Sequence, residues 1–94
     1  MDNGNDTRIA VITIIVEDRT SAESLNQLLH KYGDYLVGRM GVPYRPKEVS
    51  VICAILDAPQ DIISALSGKI GMLPGITSKT VYSKLQDKKQ DKTG

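Results

Sequence analysis

The chain has 94 residues, with 12 lysines and arginines against 11 aspartates and glutamates, a formal net charge of +1. That length makes one domain able to bury a core without metal or disulfide support, and the single Cys53 excludes an internal disulfide. The near-neutral balance, with no Phe and no Trp, argues against a phosphate-tracking surface or a stacking platform, and so against direct nucleic-acid binding.

In chain order, Met1–Asp6 is polar and acidic, which suits neither a signal nor a transit peptide and is read as a disordered N-terminus (1–6). The folded domain is expected over 7–83. Its first element is the β-branched run Arg8–Val16, which ends in Glu17-Asp18. Ala10, Ile12, Ile14 and Val16 share one parity; Ile9, Val11, Thr13 and Ile15 share the other. A strand with one wet face alternates apolar and polar residues. This one does not, so both faces are expected to be covered.

The stretch Ser21–Tyr32 reads as an amphipathic helix with Ala22, Leu25, Leu28, Leu29 and Tyr32 on one stripe. Thr20-x-x-Glu23 has the pattern of a capping box, and Gly33 is placed to stop the helix in a left-handed conformation. Leu36–Val42 follows as an edge strand, since Gly38 and the nearby Pro43 disfavour a central position. Pro43–Glu48 is a polar connection.

Val49–Leu56 is a second strand apolar on both parities, broken only by Ser50 and ending in Asp57. Pro59–Met72 is the second helix, with Ile62, Ile63, Leu66, Ile70 and Leu73 as its stripe and Asp57-x-x-Gln60 as its cap pattern. Thr77–Ser83 is the other edge strand. The Lys/Asp/Gln-rich stretch 84–94 has no apolar stripe and is read as a disordered tail.

Strand–helix–strand thus occurs twice. The order predicts an α+β, ferredoxin-like βαββαβ sandwich, a four-stranded antiparallel sheet with two helices on one face. In that order the two doubly apolar strands are central. Their second face, with Ile9, Val11, Ile15, Val49, Val51 and Cys53, is expected to meet a second copy of the chain in a dimer or tetramer. Each apolar side chain buried there would contribute about 1.5–3 kcal/mol. No apolar run reaches the roughly 20 residues that span a bilayer, and a cytoplasmic, non-membrane protein is expected.

Candidates for chemistry are few. His30 and Cys53 each occur once, short of the three or four protein ligands a zinc site uses. His30 reads as a surface residue and Cys53 as a small core hydrophobe; no metal or cofactor is assigned. Glu17, Asp18 and Asp57 end adjacent strands and read better as turn and cap residues than as an acid–base pair, so no enzyme is expected. For a small anionic effector, Arg39, Tyr44, Arg45 and Lys69 are the candidate side chains, with Thr20 and Ser21 as backbone donors at the helix start. Gly68-Lys69-Ile70-Gly71 lacks the Walker spacing of a P-loop.

Three blocks carry a family likeness: Arg8–Ile12, Tyr32–Tyr44 and Ile63–Gly75. Together they resemble the small proposed regulators of the iron-only hydrogenase system, over about Thr7–Ser83. Leu73-Pro74-Gly75-Ile76 is similar, more distantly, to the turn before the last strand of ACT domains. The resemblance implies an ACT-like regulatory domain that assembles through its sheets. The leading expectation is a non-catalytic regulator that binds a small effector at or near the subunit interface and acts on a protein partner. It also implies kinship with the ligand-binding half of nickel-responsive repressors. Those use several histidines and a cysteine where this chain has His30 and Cys53. A metal-handling module using Cys53 with His30 of another subunit, or a ligand-free assembly protein, are the alternatives.

Overall fold

A computed structural model describes residues 6–84. The expectations of disorder for 1–6 and 84–94 fall, Asp6 and Lys84 apart, outside the described residues. Four strands and two helices follow in the expected order: β1 (Arg8–Val16), α1 (Ala22–Lys31), β2 (Leu36–Tyr44), β3 (Val49–Ala58), α2 (Gln60–Gly71) and β4 (Ile76–Tyr82). The sheet order is β2-β3-β1-β4 and every neighbouring pair is antiparallel. This is the ferredoxin-like sandwich, with the two β-branched runs at its centre.

Register decides which parity faces the helices. Ile12 pairs with Ala54 and Thr80, and Ile14 with Ile52 and Ser78. On that face Ala10, Ile12, Ile14, Ala54, Leu56 and Ala58 are fully buried. Against them the stripe of α1 contributes Leu25 and Leu29, and that of α2 contributes Ile63, Leu66 and Ile70, all fully buried. Leu28, Tyr32 and Leu73 pack at the margin of this core. Ala22, expected on the stripe, is exposed; the buried part of the stripe begins three residues on, at Leu25.

Four local expectations are corrected. Thr20 does not form a capping box; its amide and its hydroxyl both donate to Asp18 Oδ1, at 2.9 and 2.6 Å. Asp18 thereby caps a short 3-10 turn, Arg19–Ser21, that leads into α1. Gly33 is not a left-handed stop: it starts another 3-10 turn, Gly33–Tyr35, and the positive φ among the described glycines belongs to Gly75. Asp57 is not the cap of α2. It continues β3 opposite Ile9, and Pro59 precedes the helix, accepting from the amides of Ile62 and Ile63. Finally, Cys53 is half-buried on the sheet face away from the helices, not in the core. In addition, β2 runs two residues further than expected, through Pro43 to Tyr44, since an edge strand can spare the ladder amide that proline lacks.

The β1–α1 turn is fastened to the turn before β4. The Glu17 amide donates to the Gly75 carbonyl at 2.7 Å, and the buried Ser21 hydroxyl donates to the Pro74 carbonyl at 2.6 Å. At the other end of β1, Arg8 lies over the Tyr82 ring at 4.6 Å and donates to Gln60 Oε1 at 2.8 Å.

Candidate functional site

Where the helix layer stops, the sheet continues. From Arg39 to Tyr44 every residue of β2 is exposed, because the residues it turns toward the helices (Arg39, Gly41 and Pro43, by their pairing with Ala54, Ile52 and Ser50) are polar, small or cyclic. They offer no long apolar side chain for α1 to pack on. The consequence is a groove between the first turns of α1 and the β2–β3 end of the sheet.

The groove consists of two adjoining cavities. One, of about 430 Å³, has Arg19, Arg45 and Glu48 among its walls, with Tyr44 and Val49. The other, of about 240 Å³, has Arg39 and Asn26, with Gly41 and Ile52. Val16, Ala22, Pro43 and Ser50 line both. Ala22 leaves this room by its small side chain.

The charges in the groove are only partly matched. Arg39 Nη2 donates to the neutral Asn26 Oδ1 at 3.0 Å. Among the described residues the guanidinium groups of Arg19 and Arg45 have no hydrogen-bond or ion-pair partner. Glu48 follows the 3-10 turn Arg45–Lys47, donates its amide to the Arg45 carbonyl at 3.0 Å, and sits in the left-handed region at φ 55°. A non-glycine residue there costs roughly 1–2 kcal/mol. That strain lies in the wall of the groove.

Of the six residues expected to contact a ligand, the groove gathers Arg39, Tyr44 and Arg45. Thr20 and Ser21 adjoin it but are not in its walls, and both amides donate within the chain, to Asp18 Oδ1 and to the Asp18 carbonyl. Their part is to shape the turn that carries Arg19. Lys69 stands apart on α2, 5.7 Å from the Tyr32 ring, beside a shallow hollow between the helices lined by Leu28, Lys31, Met72 and Leu73. Arg19, Glu48 and Ser50 are wall residues that the sequence reading did not pick out.

The expected interface residues share one surface. Ile9, Val11 and Ile15 of β1 stand opposite Asp57, Ile55 and Val51, with Cys53 opposite Thr13. All lie on the face without helices. Val49 extends the row beside Tyr44, and Met40, Val42 and Val81 widen it. Ile9 is 41% exposed, Val51 43%, Val81 58% and Met40 62%, high values for apolar residues on neighbouring strands. Tyr44 and Val49 belong both to this face and to the groove.

His30 is exposed on α1. Among the described residues no three His, Cys, Asp or Glu side chains gather to hold a metal, and no helix is long and apolar enough to cross a membrane.

The model of the TM1266-like family, described as proposed iron-only hydrogenase system regulators, matches residues 8–80. Among solved structures, the uncharacterised protein TM1266 from Thermotoga maritima superposes with a TM-score of 0.79 at 39% sequence identity, covering 83% of this chain and 99% of that one. A formyltetrahydrofolate deformylase from Pseudomonas putida KT2440 superposes with a TM-score of 0.57 at 11% identity, covering 78% of this chain and 28% of that one. At that identity the likeness is one of fold. No curated protein matches the chain.

Proposed function

The chain belongs to the TM1266-like family, and on that footing we propose that it is a non-catalytic, ACT-like regulatory domain. It pairs with further copies through the open sheet face, as a dimer or tetramer. It binds a small effector in the arginine groove and, in response, modulates a partner protein in a hydrogenase-related system. One observation carries this reading: Tyr44 and Val49 are at once walls of the groove and members of the apolar face. A ligand that moves Tyr44 alters the surface on which a second copy sits, which gives it differential affinity for two assemblies. Arg39, Tyr44 and Arg45 contact the effector, joined by Arg19.

The experiment is native mass spectrometry of protein purified without added metal or chelator. An oligomer carrying an extra organic mass supports the regulator. A bare oligomer favours a ligand-free assembly protein, and a monomer overturns the interface.

The position of Cys53 favours a second reading. Half-buried on the open face, its thiol would meet a partner's sheet, where a metal-handling site could form between subunits. His30 lies on the helix layer, away from that face, so sheet-face pairing does not join the two residues. If this second reading holds, Cys53→Ala abolishes metal uptake; under the first it leaves effector binding intact.

A further inference from the structure

The charge pattern of the groove points to the chemical class of its occupant, and this inference rests on the effector reading above. The chain has four arginines. Arg8 is committed to Tyr82 and Gln60 at the far end of β1; the other three all line the groove.

Their distribution is bipolar. Arg39 belongs to one cavity only, and its single partner is the uncharged Asn26, so that end carries one positive charge. Arg19 and Arg45 belong only to the other cavity, together with Glu48. Two cations and one anion leave that end with one positive charge as well. Between the ends lie the four shared residues, three of them apolar (Val16, Ala22 and Pro43) and the fourth Ser50. Guanidinium groups present forked donors that match a carboxylate.

We propose that the groove takes a small linear dicarboxylate, one carboxylate at Arg39 and the other between Arg19 and Arg45, with an aliphatic spacer over Val16, Ala22 and Pro43. A single negative charge at each end balances each pole. A compact trianion or pyrophosphate would crowd several charges at one end, beside Glu48. A ligand with one carboxylate leaves one pole unanswered.

Isothermal titration calorimetry tests this with the full chain and a series of linear dicarboxylic acids of increasing spacer length. Monocarboxylates and neutral diamides of matching length serve as controls. The expected result is binding that peaks at one spacer length and is about ten- to a hundred-fold tighter than that of the matching monocarboxylate, the worth of one charge-assisted contact. Arg39→Ala should bring the best dicarboxylate down to the monocarboxylate level, and Arg8→Gln should not. Near-equal affinity for mono- and dicarboxylates, or unchanged binding by Arg39→Ala, overturns the proposal. Failure of every dicarboxylate, with a neutral or cationic organic mass retained in the native spectrum, overturns the class and leaves the effector reading standing. Failure of every dicarboxylate with no retained mass overturns both.

Discussion

At Gly75 two constraints coincide. Its φ of +67° lies in the region L-residues avoid, and a Cβ there would collide with the Asp18 side chain while standing 3.0 Å from the Asp18 amide nitrogen. Because Glu17 and Ser21 are both hydrogen-bonded to the Pro74-Gly75 turn, relief by movement would break the fastening of the β1–α1 turn to the turn before β4. Gly75→Ala is therefore expected to destabilise the fold by roughly 2–3 kcal/mol, read as a lower urea midpoint with an unchanged slope. Asp18 supplies a pH signature at the same place. The Thr20 hydroxyl first, and its amide second, hold the Asp18 carboxyl below the usual aspartate range, against a small opposing effect of burial. A lowered folded pKa means stability that is present above the unfolded value of about 3.9 and is lost as pH falls through the lower folded value. Urea stability measured from pH 7 downward should show that acid loss in the wild type and less of it in Asp18→Asn. An identical acid limb in the two proteins would refute the assignment.

At the scale of elements, the capping of α1 shows what local pattern reading can and cannot find. Thr20-x-x-Glu23 fits a capping box, but Asp18 two residues earlier competes for the same amide and hydroxyl and accepts both. Glu23 is left exposed in the first turn. Glu23→Ala should then change stability by no more than about 0.5 kcal/mol, where loss of a true capping box costs about 1 kcal/mol. The strands were legible because their signal is redundant: nine consecutive residues of β1 are almost all β-branched or apolar. The helices were legible from stripes that the core then uses, and Leu66→Ala, at a fully buried position in α2, should cost about 2–5 kcal/mol by thermal or urea unfolding. Asp57 was misread because an acidic residue before a proline fits a strand end as well as a helix cap. Only its pairing with Ile9 decides between them.

At the scale of the whole molecule, the open face and the groove were legible to different degrees. Apolar residues on both parities of β1 and β3 lead to the expectation of a second covered face, and the six residues named from that pattern share the face without helices. The groove was only half visible. Arg39, Tyr44 and Arg45 are close in sequence, whereas Arg19 reaches them through the antiparallel register that sets Val16 and Pro43 both opposite Ser50. That register sets the end of β1 and the end of β2 on either side of Ser50 in β3. Lys69 lies between Gly68 and Gly71 in the sequence, a spacing that says nothing about its distance from the groove in the fold. The account as a whole turns on a second copy covering the open face, since the link between effector and assembly runs through Tyr44 and Val49 at its margin. Sedimentation velocity at micromolar concentration, with the wild type run beside Val51→Lys, tests this most directly. The account predicts a dimer or tetramer for the wild type and a folded monomer for the variant, in which a lysine would have to be buried between sheets. A monomeric wild type, or a variant that keeps the full assembly, would contradict it.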